Sequence, residues 1–270
     1  MTSAWVEQQC NTVRRRIIEL GYATGKNGAH FGSSLSLVEI LVAVYHYILN
    51  DQTQPVAGSG PKGRFFLSKG HGALGYFAVL ESFGLLTSEQ SSLFEVNGSN
   101  FFAHAHKDLN SGIEYSGGSL GLGVALAVGV ALASRLKGDQ QDIIVLAGDG
   151  ECDEGIVWEA LMSAAHYKLS NFTLIVDRNM MQSDGDKRFI MGHQDICSKL
   201  LSFGFDVTRV NGHSCPELMT GLQKRADRPK AIVADTIKGC GISFMQANAD
   251  WHHGSLNQSS YELALSELKG

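Results

Sequence analysis

Residues 142–155 read DIIVLAGDGECDEG, and this stretch decides the fold. The run DIIVLA at 142–147 offers no alternation of apolar and polar positions, which suits a strand buried on both faces of a parallel sheet. It ends at Gly148, Asp149 and Gly150, after which residues 156–169 carry helical periodicity. A strand that runs through a glycine-flanked acid into a helix is the repeating unit of doubly wound α/β sheets. Their ligands sit at the carboxyl ends of the strands.

Outward from this unit, residues 64–67, 172–176, 205–210 and 231–235 read as further strands, with helical stretches between them. The first fifty residues predict a helix, a glycine-rich loop at 25–34, and a second helix through Leu35, Val38, Leu41, Val42, Tyr45 and Ile48. A second glycine-rich stretch, AGSGPKGRFFLSKGHGALGY at 57–76, leads into a helix predicted over 73–83. Residues 117–136, GGSLGLGVALAVGVALASRL, approach the length that crosses a bilayer, but small residues dominate them and they read as a tightly packed core helix. Ser259, three residues before Glu262, is a capping-box pattern that predicts a last helix ending at 268. With no internal repeat and no low-complexity linker, 1–270 reads as one domain. Its expected architecture is α/β: a doubly wound, mainly parallel sheet with helices on both faces.

Composition narrows the function. A chain of 270 residues that is 44% hydrophobic can bury about three quarters of its unfolded surface in a substantial core. A net charge of −5 provides no basic field for nucleic acid, so neither nucleic acid nor a membrane is expected as a partner. Five cysteines, at 10, 152, 197, 215 and 240, form neither a CxxC pair nor a zinc spacing and fit a reducing cytoplasm. The N-terminus lacks the basic start and apolar core of a signal peptide.

The chemistry begins at the GDG triplet. Twenty-eight residues, 151–178, separate it from Asn179, which itself follows the strand at 172–176. Acid and amide therefore emerge side by side at the carboxyl edge of the sheet. A carboxylate, an amide oxygen and a backbone carbonyl are hard donors suited to Mg²⁺, which completes its octahedron with phosphates and water. Gly148 and Gly150 let the backbone approach a phosphate, and the helix that follows offers unpaired N–H groups.

Residues 148–185, GDGECDEGIVWEALMSAAHYKLSNFTLIVDRNMMQSDG, resemble the thiamine-diphosphate motif of the transketolases, with Arg178-Asn179 where the motif usually closes on Asn-Asn. The resemblance implies thiamine diphosphate and Mg²⁺ as cofactors, the metal held by Asp149, Asn179 and the carbonyl of Met181. It extends through four histidine segments. His30 lies in AHFGSSLS and His71 in LSKGHGALGY. His104 lies in AHAHKDLNSGIEYSGGSLGLG, where Ala105 replaces the family's proline and His106 is an alternative. There Gly118, Ser119 and Leu120 match a cofactor-touching GPL-type turn. His253 follows TIKGCGISF, which resembles the family's TxKGxG segment, with His252 as the alternative. By resemblance, His71 and His253 contact diphosphate or thiazolium, His30 and His104 meet the sugar hydroxyls, and His30, His104 and His253 are the catalytic set. Glu154, and after it Glu159, match glutamates of a carboxylate network across a dimer, although acids early in a helix also favour its N-terminus.

Transketolases carry a pyrimidine-binding domain beyond this region. The resemblance therefore implies a second, C-terminal subunit supplying it, in an α2β2 heterotetramer that transfers a two-carbon ketol unit from a ketose to an aldose. Three alternatives stand beside this one: the E1 component of a 2-oxoacid dehydrogenase, a deoxyxylulose-phosphate synthase, and a non-catalytic scaffold.

Overall fold

The computed structural model describes residues 3–49, 62–139, 141–192 and 195–268. In chain order the helices are α1 (Ser3–Ala23), α2 (Phe31–Ser36), α3 (Val38–Leu49), α4 (Ala73–Ser82), α5 (Ser88–Ser91), α6 (Leu122–Lys137), α7 (Gly155–His166), α8 (Lys187–Ile190), α9 (Ile196–Ser202), α10 (Cys215–Gln223) and α11 (Gln258–Glu267). The strands are β1 (Gly63–Leu67), β2 (Asp142–Gly148), β3 (Phe172–Arg178), β4 (Met181–Gln182), β5 (Gly185–Asp186), β6 (Asp206–Asn211) and β7 (Lys230–Asp235). One sheet has the order β1-β2-β3-β7-β6 with every neighbouring pair parallel, and β4 and β5 form a small antiparallel ribbon.

Two apolar layers sandwich the sheet. Ile144, Leu146, Ile175 and Ile232 join the layer containing Ile17 of α1, Leu41 of α3, Phe77 of α4 and Leu218 of α10. The intervening residues Ile143, Val145, Leu174, Val176 and Val233 join the layer containing Ala127 of α6, Leu161 of α7 and Leu200 of α9. Strand side chains alternate between faces, so a strand covered on both sides has no wet position. That is why 143–147, after Asp142 at the strand's start, carries no polar residue. Each fully buried Val, Leu or Ile contributes about 1.5–3 kcal/mol, and the sheet centre is built almost entirely of them.

Three local expectations are corrected. The loop predicted at 25–34 is a short turn at Gly25–Asn27 followed by α2, because Phe31 and Leu35 are both wholly buried and draw the chain into a helical turn. The capping box of α11 is Asn257 with Ser260, not Ser259 with Glu262. The Asn257 side chain accepts the Ser260 N–H at 2.9 Å and Ser260 Oγ accepts the Asn257 N–H at 2.9 Å, a reciprocal pair that a serine satisfies as well as a glutamate. Within 117–136, the helix starts only at Leu122. Gly121 before it is left-handed (φ 82°), and a Cβ there would lie 2.5 Å from Ile156 of α7. Residues 57–61 of the second glycine-rich stretch lie outside the described residues. Among the described residues no helix is long and apolar enough to cross a membrane.

Candidate active site

Four parallel strands deliver chemistry to the same edge. β1 runs into Ser68, Lys69 and His71, β2 into Asp149, β3 ends through Asp177 toward Asn179, and β7 runs into Thr236 and Lys238. These ends surround a cavity of about 420 Å³, whose walls include Lys69, His71, Asp149, Asn179, Lys238 and His252.

The aspartates at the ends of β2 and β3 have different surroundings. Asp177 is wholly buried. Its Oδ2 accepts Lys69 Nζ at 2.5 Å, Ser36 Oγ at 2.8 Å and Asn179 Nδ2 at 3.0 Å, and its Oδ1 accepts the Thr236 hydroxyl. Burial alone would raise its pKa, but Lys69 and the hydroxyl donors outweigh it and hold the carboxyl low. Asp149 is 4% exposed; its carboxylate accepts only backbone amides, from Gly150 at 2.9 Å and Met180 at 2.8 Å, while its backbone carbonyl accepts the Lys187 ammonium. Burial, with Asp177 nearby, pushes it up to about 6. Met180, which supplies one of those amides, is left-handed (φ 60°), a strained backbone of the kind that collects at functional sites. Asn179 Oδ1 accepts the Met181 N–H at 3.0 Å and keeps a second lone pair.

This donor set fits a hard divalent cation. Among the described residues no ammonium or guanidinium pairs directly with the Asp149 carboxylate: Lys187, the cation that acts on it most strongly, donates to the Asp149 backbone carbonyl and pairs with Asp153 at 2.9 Å. The carboxylate thus keeps open lone pairs, and an amide oxygen with spare capacity lies beside it. No three His, Cys, Asp or Glu side chains there form a metal cluster. Mg²⁺ does not require one, because it takes few protein ligands and draws the rest from phosphate and water.

Five imidazoles gather beside the cavity. The His30 ring, at the start of α2, lies 4.7 Å from that of His253, 5.5 Å from His252, 5.7 Å from His104 and 5.9 Å from His71. His71 and His252 are 5.4 Å apart and line the cavity itself. Burial, then the neighbouring histidines and Lys238, push His30 down to about 3. Burial and Lys238 push His252 down to about 4, burial and Lys69 push His71 well below the usual range, and burial also lowers His104. At neutral pH these rings are uncharged, able to donate at one nitrogen and accept at the other.

The structure answers the two histidine ambiguities in different ways. His104 belongs to the cluster, whereas His106 is exposed and packs on Phe102 at 4.5 Å. His252 and His253 both belong, with His253 outermost against His30. Gly148, Gly150, Glu154, Asn179, Met181 and Leu120 line the cavity, while Gly118 and Ser119 are exposed outside its wall. Glu159 is exposed on α7.

Sequence reading missed four groups. Lys69 and Lys238 are 1% and 3% exposed, so both cations are committed to the interior. Gln182 lines the cavity and donates to Asp153 at 2.8 Å. Glu151 is buried and pegs three segments together, accepting from Ser68 Oγ (2.5 Å), Gly121 N–H (2.7 Å) and Gly148 N–H (3.1 Å). The only sequence signal for any of these was their adjacency to motif residues.

Fold and site together define a doubly wound α/β module with a cavity at its strand ends lined by carboxylate, amide, ammonium and imidazole groups. A sequence profile described as "Transketolase, thiamine diphosphate binding domain" matches residues 7–268, and the chain belongs to the transketolase family. It is 35% identical over 266 residues to one subunit of the apulose-4-phosphate transketolase of Actinobacillus succinogenes, covering 98% of this chain and 96% of that one. It is 34% identical over 269 residues to one subunit of the 6-deoxy-6-sulfo-D-fructose transketolase of a Clostridium species, covering 98% and 96%. The transketolase structure from Campylobacter jejuni superposes with a TM-score of 0.87 at 27% identity, covering 99% of this chain but 43% of that one. The chain thus spans less than half the length of the solved transketolases it matches.

Proposed function

We propose that the chain is the N-terminal, thiamine-diphosphate-binding subunit of a two-chain transketolase, which moves a two-carbon ketol unit from a ketose to an aldose acceptor. The observation that carries this reading is one cavity lined by a buried carboxylate that no ammonium bonds directly, Asp149, and by two buried ammonium groups, Lys69 and Lys238, with imidazoles beside them. A Mg²⁺-diphosphate unit needs both hard oxygen donors for the metal and cations for the phosphates. Asp149, Asn179 and the Met181 carbonyl would hold Mg²⁺. Lys238, His71, Gly148, Gly150 and Leu120 would face the diphosphate and its neighbouring ring, with Gly118 and Ser119 in the turn behind, His253 at the outer edge, and Glu154 joining its carboxylate network. Thiamine diphosphate, when bound, supplies the carbanion stabilisation that carbon–carbon cleavage requires.

The protein's own share is positioning and proton management. Uncharged His30 and His104 can each hydrogen-bond a sugar hydroxyl as donor or acceptor, with His253 beside them at the outer edge, and a neutral donor aimed at a developing oxyanion stabilises it. The two relatives named as subunits support a division into two chains. The pyrimidine-binding domain belongs to a C-terminal subunit, joined in an α2β2 heterotetramer in the reducing cytoplasm, where five free thiols persist. Residues 1–270 then form one diphosphate-binding domain. The relatives are named for different sugars at nearly equal identity to this chain, which supports a partner that selects the donor.

Ketol transfer is expected only when this chain, the C-terminal subunit, thiamine diphosphate and Mg²⁺ are all present, and equal turnover by this chain alone would overturn the assignment. In the complex, His104→Ala is expected to lower kcat on the order of 100-fold, while His106→Ala leaves it unchanged. Equal effects of the two substitutions would remove His104 from the catalytic set.

A further inference from the structure

Lys238 combines burial with isolation. Its Nζ donates to the Gln182 carbonyl at 3.1 Å and to His252 Nδ1 at 2.9 Å, and no carboxylate pairs with it among the described residues. A cation in that state keeps its direction only if its backbone is held. Part of that hold is backbone pairing, the Lys238 carbonyl accepting the Ala247 N–H at 2.9 Å and the Gly239 N–H donating to the Gly32 carbonyl at 2.9 Å, and the rest comes from side chains outside the cavity. His213 Nε2 accepts the N–H of Ile237 at 2.9 Å, one residue before Lys238. Arg14 Nε donates to the carbonyl of Cys240 at 3.2 Å, two residues after it. Glu39, 7% exposed, joins the two, with Oε1 2.5 Å from Arg14 Nη2 and Oε2 2.9 Å from His213 Nδ1. Gly241 makes room for the guanidinium, since a Cβ there would lie 2.7 Å from Arg14 Nε.

We propose that Arg14, Glu39 and His213 form a positioning network for Lys238, gripping the backbone on both sides of the lysine and so setting where its ammonium meets an anion in the cavity. This rests on reading that cavity as a diphosphate site. The charges suit the task. Burial opposes ionisation of Glu39, but His213 and Arg14 outweigh it and keep the carboxylate charged against the guanidinium. For His213, burial disfavours the imidazolium, but Cys240 and Glu39 outweigh it and push the ring up to about 9. The Ile237 N–H directed at Nε2 calls instead for an unprotonated nitrogen there, with the ring's proton on Nδ1 toward Glu39, and that contact is the one the network uses. Glu39 offsets the Arg14 charge, and the network adds a fixed backbone position beside Lys238. It spans 226 residues of chain, from Arg14 in α1 to Cys240, so no local pattern announces it.

A double-mutant cycle tests the network, using inorganic pyrophosphate with excess Mg²⁺ titrated calorimetrically into the full chain. His213→Phe removes the acceptor, and the side chain has room because His213 lies in the wall of a second cavity of about 650 Å³. It is expected to weaken pyrophosphate roughly tenfold, the loss of one directed charge-assisted contact. His213→Gln, which can accept from Ile237 and donate to Glu39, is expected to restore binding. In a Lys238→Met background, itself weaker, His213→Phe is expected to cost nothing more, since the group it positions is gone. Should His213→Phe fail to fold, Arg14→Lys runs the same cycle, keeping the charge opposite Glu39 but losing the Nε donor. Equal losses in both backgrounds, or no loss from His213→Phe beside a clear loss from Lys238→Met, would overturn the network while leaving the diphosphate site standing. Unchanged binding in both Lys238→Met and Asp149→Ala would overturn the site and the network together.

Discussion

The carboxyl ends of β2 and β3 are neighbours in register, and the amide of Asp149 donates to the Asp177 carbonyl at 3.1 Å. The aspartates they carry could hardly differ more in what surrounds them. The Asp177 carboxylate is saturated by an ammonium, two hydroxyls and an amide, whereas the Asp149 carboxylate accepts two backbone amides and no ammonium bonds it directly among the described residues, Lys187 reaching only the Asp149 carbonyl. A buried charge costs stability unless it is paired and hydrogen-bonded, so a fold tolerates the first arrangement as structure. It tolerates the second where something else supplies the missing charge. The difference separates a carboxylate sealed behind the cavity from one in its lining, where the proposed metal would sit.

The largest expected effect comes from removing the sealed carboxylate. Asp177→Ala leaves Lys69 buried and unpaired, and the unfolding free energy is expected to fall by about 3–5 kcal/mol in chemical denaturation. The double replacement Lys69→Met with Asp177→Asn is expected to recover most of that loss, because it removes both charges; a double variant as unstable as the single one would mean that Asp177 matters for shape and not for charge. Next, Asp149→Asn is expected to cost the ligand-free chain no more than about 1 kcal/mol while lowering Mg²⁺-dependent thiamine-diphosphate affinity on the order of 100-fold. A stability loss as large as that at Asp177 would erase the contrast between the two strand ends.

The smallest expected effect is the pH response, and it sharpens the contrast by locating where acid sensitivity arises. His30 and His252, at about 3 and about 4 when folded, titrate near 6.5 when unfolded, so between pH 6.5 and about 4 the unfolded chain binds more protons. Their contribution to stability is complete above pH 6.5 and is lost as the pH falls through that window. Asp177, held low, surrenders its contribution only below the ordinary aspartate range. Asp149, pushed up to about 6, binds its proton more readily in the folded chain and opposes the histidine loss between pH 6 and about 4, so the test compares variants. The denaturation midpoint of the ligand-free His252→Asn chain is expected to fall less between pH 6.5 and 4 than that of the unaltered chain, and identical pH dependences would show that this ring is not held neutral by the fold.

Much of this architecture was legible in the chain. Runs such as 142–147 and 172–176 have to be strands covered on both faces, and residues directly after them have to stand at one edge. That reasoning alone brings Asp149 and Asn179 together. The resemblance ordered the histidines along the chain but could not separate His104 from His106, because two imidazoles two residues apart differ only in which of them turns inward. Gly70, where a Cβ would lie 3.0 Å from His104, is part of the wall that takes that ring, and it is far from His104 in sequence. Lys69 and Asp177 are 108 residues apart, and each alone reads as an ordinary surface charge.

Apolar periodicity and glycine-flanked polar residues report local backbone state and burial, which depend on near neighbours. From them follow the parallel sheet, the strand ends and the identity of the acid and the amide that emerge there. Charge compensation depends on groups brought together by the packed sheet and its two layers of helices. Which aspartate is saturated and which is left open, which lysine is buried without a carboxylate, and which histidines converge are therefore decided only when the chain is folded.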